Sequence, residues 1–161
     1  MKTVVFVGNH PRNLFFLKKL YQNNKIDVVG VIIWKRENII PKPDNNISEE
    51  LKKLWVLHFK KRYLSEKLYF NDDFLLLDNI KDKLILDNRE KFYCKEILDY
   101  IAIKKPEICF LFGVPIIKEP LLSLIPINTI NLHLGLIPDY KGSITAFWPF
   151  YYLEPSMLGT T

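Results

Sequence analysis

The sequence predicts an α/β fold, an open and mainly parallel sheet flanked by helices. Three observations carry that expectation. Short runs of β-branched and aromatic residues, such as TVVFV at 3–7 and ICFLF at Ile108–Phe112, are apolar at every position, as strands covered on both faces are. Between these runs lie longer segments whose apolar residues recur at helical spacing. Residues 1–34 read strand, helix, strand, the βαβ unit that joins parallel strands with a right-handed crossover. Composition agrees: 161 residues, 48% hydrophobic and 25% charged, with 10 Pro, 6 Gly and 2 Cys, describe one globular domain without disulfide or metal staples. A collagen, a disordered tail and a cysteine-stapled module are excluded.

The elements follow in order. The first strand, 3–7, ends at Gly8. A helix over 12–22 collects Leu14, Phe15, Leu17 and Leu20, with Asn9 as its expected N-cap and Pro11 tolerated in the first turn. The second strand is 28–34. The Lys-, Asn- and Pro-rich stretch 35–46 reads as a loop. Ser48 caps a second helix with Glu49 and Glu50 in its first turn, and Leu51, Leu54, Trp55, His58 and Phe59 are expected on one packed face. On such a face His58 reads as a packed or rim residue. A turn-rich linker over 71–79 surrounds an apolar cluster at 74–77. Lys83–Leu86 is a third strand, and 91–104 a helix with an imperfect stripe, closed by Pro106. Ile108–Phe112 is the fourth strand and 127–132 the fifth.

Several function classes fall away on the same residues. Cys94 and Cys109 form no C-x-x-C pair and lie near no His cluster, so two buried, reduced thiols are expected and no metal site. No apolar run reaches the roughly 18 residues that span a bilayer. The start MKTVVFVGNH turns polar too soon for a secretory signal, so the expected location is cytoplasmic, with no membrane partner. The net charge of +5 favours an anionic ligand. However, Lys60, Lys61 and Arg62, and Lys104 with Lys105, lack interleaved stacking aromatics and read as solvated faces rather than a nucleic-acid stripe. The first turn carries Gly8 alone where a dinucleotide fingerprint needs three glycines, which argues against an NAD-type grip.

In open α/β sheets, ligands sit beyond the carboxyl ends of the strands, where the winding reverses. Two loops there hold three of the six glycines: 113–117 after the fourth strand and 131–142 after the fifth. Asn131 and His133 are two apart at a strand end, so their side chains share a face. An amide and an imidazole together can address one carbonyl, the amide holding a developing oxyanion while the imidazole donates a hydrogen bond or moves a proton. No Ser or Cys stands in a nucleophile elbow, so acyl transfer without a covalent enzyme intermediate is the chemistry suggested. Spacing alone leaves open a structural pair that satisfies loop backbone.

The stretch NLHLGLIPDYKG resembles the signature of the formyltetrahydrofolate-dependent formyltransferases, matching it at Asn131, His133, Leu136, Pro138, Tyr140 and Gly142, with a conservative Lys141. With Gly135 and the continuation GSITAFWPFYYLEP, it looks most like the sugar-nucleotide N-formyltransferases. The resemblance implies a Rossmann-like sheet and formyl transfer from N10-formyltetrahydrofolate to the amino group of a nucleotide-linked amino deoxysugar, on dTDP or UDP. It implies that Asn131 orients the formyl oxygen and that His133 stabilises or protonates the tetrahedral intermediate. The pterin is then expected against Leu111, Phe112, Gly113, Val114 and Ile117 and against Gly135, Leu136, Ile137 and Pro138. Tyr140, Lys141 and Gly142 are expected toward an anionic substrate group, and Phe147 and Trp148 along the sugar side or, equally, in the core. A homodimer is a further possibility of the resemblance. The family's third catalytic residue is an aspartate farther along its chain. After His133 the sequence has Asp139 alone, in the variable slot of the turn. The expectation is a formyltransferase-like domain over 1–161, incomplete at its C-terminal end, with weak or no activity. The alternative is a catalytically dead module that binds a nucleotide sugar or a folate within a longer protein.

Overall fold

Side chains alternate across a strand, and β1 (Lys2–Gly8) uses that alternation to fill two cores at once. Val4 and Phe6 face one side of the sheet; Val5 and Val7 face the other; all four are fully buried. In the computed structural model, which describes residues 1–35, 41–70, 78–142, 145 and 147–159, β1 is the centre of a five-stranded parallel sheet. Its partners are β2 (Asp27–Trp34), β3 (Lys83–Leu86), β4 (Ile108–Phe112) and β5 (Thr129–Asn131), in the order β3-β2-β1-β4-β5. The expected α/β architecture is therefore observed, with parallel pairing throughout.

Helix α1 (Pro11–Tyr21) covers one face, packing Leu17 and Leu20 against Val5, Val7, Val31 and Ile33. Pro11 opens the helix as expected, but the N-cap is His10 rather than Asn9. Helix α3 (Lys95–Lys104) covers the other face, where Ile97 and Ile101 meet Phe6, Ile32 and Phe92. The expected single helix over 91–104 is two pieces: a 3-10 turn at Arg89–Tyr93 and then α3, separated at Cys94, whose backbone is extended at φ −72° and ψ 156°. That break explains the imperfect stripe, since Phe92 and Ile97 reach the same core from different turns. Lys105, barred from the right-handed region by Pro106, ends α3 in the left-handed region at φ 46°. Cys109 is buried as expected, whereas Cys94 is only half-buried.

Helix α2 (Glu49–Phe70) begins where expected, with Ser48 Oγ accepting from Leu51 N at 3.3 Å. Its packed side is not the expected one. Leu51, Leu54 and His58 are exposed; the helix is turned inward instead at Phe59, Tyr63, Glu66 and Phe70. The cause is anchoring at its C-terminal half, where buried Glu66 pairs with Arg12 and Arg62 and Phe70 lies 5.5 Å from Phe15. The basic groups expected as solvated faces are partly committed too: Arg62 to Glu66, and Lys104 to Asp82. Strand β5 is shorter than the expected 127–132; Ile127 is fully exposed, and regular pairing starts at Thr129. Residues 36–40 of the expected loop, and 71–77 of the expected linker with its apolar cluster, lie outside the described residues. Among the described residues, no helix is long and apolar enough to cross a membrane.

Candidate active site

The chain winds outward from β1 to β2 and β3 on one side and to β4 and β5 on the other, so the reversal falls between β1 and β4. A crevice opens at such a point because the two connections leave the sheet in opposite directions. Its floor is tight. Gly113 takes φ +72°, and a Cβ there would lie 2.8 Å from the amide nitrogen of Asn13. Asn13 is buried and donates from Nδ2 to the carbonyl of Phe112 at 3.3 Å, fastening α1 to the end of β4.

Beside this crevice, β5 runs along β4 with Asn131 opposite Leu111, and Leu132 N donates to Leu111 O at 2.8 Å. Asn131 ends the strand and is exposed; His133 follows two residues later and is half-buried. His133 Nε2 lies 2.9 Å from the carbonyl oxygen of Tyr140. A carbonyl only accepts, so Nε2 carries the hydrogen and Nδ1 is the proton-accepting nitrogen of the neutral ring. The Tyr140 carbonyl reaches the imidazole because residue 135 is glycine. A Cβ on Gly135 would lie 2.7 Å from Tyr140 Cβ and 2.9 Å from that same oxygen.

The loop that carries this contact is itself held from outside. Gly135 bridges Leu158 in antiparallel fashion, Leu136 N donates to Met157 O, and Gly159 N donates to Leu134 O. The Tyr140 hydroxyl donates to Glu154 Oε2, and that bond pushes the phenol up to about 12. Asp139, Tyr140, Tyr152, Glu154, Ser156 and Met157 line an open depression of about 460 Å³ on this side.

The residues singled out in the sequence fall in two groups. Val114 and Ile117 are half-buried against the α3-side core, as is Leu111, while Phe112 is buried with its ring edge-on to Phe16, 5.7 Å away. Phe112 can therefore offer a ligand only its backbone. Gly135 is buried and Leu136 half-buried, whereas Ile137, Pro138, Lys141 and Gly142 are exposed. Phe147 and Trp148 are not core residues. They are exposed, and with Tyr151 and Tyr152 around the one-turn helix α4 (Trp148–Tyr151) they form a ladder in which Trp148 stacks on Tyr152 at 6.1 Å. The buried Cys109 thiol is pushed up to about 12 by burial, which removes it as a nucleophile.

Sequence reasoning missed Asn13 and the partners Tyr152, Glu154, Ser156 and Met157. The one signal for Asn13 was a polar side chain set beside Leu14 and Leu17 on the packed stripe of α1. The contacts of the 152–157 segment cross the chain and carry no local pattern.

No family model matches the chain. Among curated proteins, the bifunctional polymyxin resistance protein ArnA of Wigglesworthia glossinidia brevipalpis is 30% identical over 92 residues, an alignment covering 53% of this chain and 13% of that protein. Among solved structures, phosphoribosylglycinamide formyltransferase from Anaplasma phagocytophilum superposes with a TM-score of 0.57 at 15% identity, over 94% of this chain and 58% of that one. Glycinamide ribonucleotide transformylase 1 from Symbiobacterium toebii and from Geobacillus kaustophilus each give 0.54, at 13% and 14% identity, covering 60% and 68% of their chains. The chain thus has the fold of these formyltransferases, and it spans well under the full length of the curated relative it matches.

Proposed function

We propose that this chain is an N-formyltransferase that moves a formyl group from N10-formyltetrahydrofolate to the amino group of a nucleotide-linked amino deoxysugar, carried on dTDP or UDP. The observation that carries the reading is the pair Asn131 and His133 at the carboxyl end of β5, with the His133 tautomer set by the Tyr140 carbonyl. The Asn131 amide donates to the formyl oxygen as charge builds on it. On attack of the sugar amine at the formyl carbon, His133 Nδ1 would accept the amine proton and deliver it to the folate nitrogen, which leaves with the electron pair of the broken C–N bond as the new C–N bond stays.

The residues present fit the formyl donor. Half-buried Leu111, Val114, Ile117 and Leu136 supply apolar surface beside the backbone of 113–117 and 135–138, which suits a flat heterocycle whose edge alternates donors and acceptors. The formyltransferase fold of the structural neighbours supports formyl chemistry. The likeness of the segment after Gly142 supports a nucleotide-sugar acceptor, and so does the exposed aromatic ladder with Lys141 nearby in sequence, which offers stacking faces and a cation.

One observation favours the second reading, binding with little turnover. Among the described residues, the hydrogen-bond partner of His133 is a carbonyl and not a carboxylate, which sets the tautomer but stabilises an imidazolium less. The missing charge corresponds to about 10²–10⁴ in rate. Incubation with the formyl donor and a dTDP- or UDP-linked amino sugar, followed by mass spectrometry of the sugar, is expected to show slow formylation. Asn131→Ala and His133→Ala are each expected to lower it by about 10²-fold or more. Calorimetric binding of 5-formyltetrahydrofolate or a nucleotide sugar without any product would establish the binding module instead, and silence in both assays defeats both readings.

A further inference from the structure

Helix α2 presents a second apolar seam on the side turned away from the fold. Leu54, Leu57, Leu64 and Leu68 are 55%, 47%, 53% and 77% exposed, and their spacing of three, seven and four residues places them at four of the five a and d positions from 54 to 68 of a heptad repeat. Lys61 fills the central a position between Leu57 and Leu64. Counting in the same register, Lys53, Lys60 and Lys67 occupy every g position, while Leu51, His58 and Ser65 occupy e. Lys53, Lys60 and Lys61 are exposed, and Lys67 lies 5.0 Å over the Tyr63 ring. At 22 residues the helix is long enough for three heptads.

The inward side of the helix is already committed through Glu66 and Phe70, and among the described residues none of the four leucines belongs to either core cluster. A row of half-exposed leucines at strict a and d spacing is the pattern that receives knobs from a facing helix. Charge then selects among occupants. A second copy laid parallel would set Lys61 against Lys61, and one laid antiparallel would set the g-position lysines against one another. A membrane surface wants a wide, uninterrupted apolar face, and here Lys61 stands inside the stripe. What fits is an amphipathic helix with leucine-like a and d residues and carboxylates facing the lysines.

We infer that the outer face of α2 is a docking surface for an acidic amphipathic helix of a partner protein, seated as a short coiled coil on Leu54, Leu57, Leu64 and Leu68 and selected by Lys53, Lys60 and Lys61. The pairing is independent of the formyl-transfer reading, because none of these residues lies at the end of β4 or β5.

The test uses the full chain and two synthetic 28-residue peptides, both with Leu at a and d, one with Glu and the other with Lys at e and g. The acidic peptide is expected to bind at least about 30-fold tighter than the basic one, with affinity falling several-fold between low and high salt. Leu57→Asp combined with Leu64→Asp should abolish binding, and Lys53→Glu combined with Lys60→Glu should reverse the preference between the peptides. All four positions are on the surface, and unchanged circular dichroism will show that the variants fold. Equal affinity for the two peptides, or binding that survives the leucine substitutions, overturns the inference. So does sedimentation of the chain alone as a dimer lost in the leucine variant, which assigns the seam to a second copy. Leucine-dependent binding to anionic phosphatidylserine vesicles with no peptide binding overturns it in favour of a membrane.

Discussion

Gly135 decides whether His133 is aimed. The Tyr140 carbonyl that accepts from His133 Nε2 passes within 2.9 Å of the place where a side chain would begin, and the Tyr140 Cβ passes within 2.7 Å. Gly135→Ala therefore pushes the 140 backbone away from the imidazole. The expected outcome is a loss of about 10-fold or more in formyl transfer, because the ring is freed to take the other tautomer or rotate, together with a stability loss of about 1–3 kcal/mol from overpacking. Nitrogen-resolved NMR of the His133 ring checks the first part: the substitution should change which nitrogen carries the proton at neutral pH. A ring whose protonation pattern is untouched while the rate falls would remove the aiming role from Gly135. At this scale the candidate pair itself was legible, since Asn131 and His133 sit two apart at the end of an apolar run. The Tyr140 carbonyl was not, because a backbone oxygen leaves no mark in a sequence and its approach depends on a glycine whose reason appears only in three dimensions.

Elements were legible to the extent that burial wrote them. Strands β1, β2 and β4 are covered on both faces, and so read as uninterrupted apolar runs such as TVVFV and ICFLF. Helix α2 carries apolar residues on every side, interspersed with Lys, Arg and Glu, so its pattern could not say which side packs; that was settled by Glu66 accepting from Arg12, 54 residues away. The network at the start of β3 was equally invisible. Tyr100 on α3 donates to Asp82 Oδ1 at 2.7 Å and accepts from Val31 N at 3.2 Å, while Lys104 pairs with the other Asp82 oxygen. Hydrogen bonds from Lys104 and then Tyr100 hold the Asp82 carboxyl below its ordinary 3.8, and burial followed by the Asp82 bond pushes the Tyr100 phenol above its ordinary 10.0. The depressed carboxyl stabilises the fold above about pH 4, and that contribution fades as pH falls through its folded value. The raised phenol stabilises it below pH 10, and that contribution fades as pH rises through its folded value. Tyr100→Phe is expected to cost about 1 kcal/mol at neutral pH, with the difference from wild type fullest between pH 4 and 10 and shrinking on both sides. Urea melts across that range measure it; a difference that stays flat down to pH 2 would mean the phenol does nothing for Asp82.

Across the sheet, burial falls away from the central strand toward the edge strand that carries the candidate pair. Val4, Val5, Phe6 and Val7 of β1 are all fully buried, each contributing about 1.5–3 kcal/mol by burial. Strand β5 is an edge of three residues; Ile130 is 44% exposed, Asn131 is exposed, and the strand's ladder runs to β4 alone. Asn131 and His133 are therefore mounted on the least secured part of the sheet, and a ligand lying across the ends of β4 and β5 would tie that edge to the interior. Amide hydrogen exchange should reveal this directly. In the free chain, amides of 129–132 are expected to exchange at least about 10²-fold faster than those of 4–7, since local opening of an edge costs far less than global unfolding. With 5-formyltetrahydrofolate at about a hundred times its dissociation constant, opening that releases the ligand becomes about 2.7 kcal/mol harder, which slows exchange about 10²-fold. The slowing belongs at 111–117 and 131–138, with β2 and β3 unaffected. Protection arising instead at the end of β3, or an edge strand already as protected as β1 without ligand, would place the binding surface elsewhere and separate the fold's weakest strand from its function.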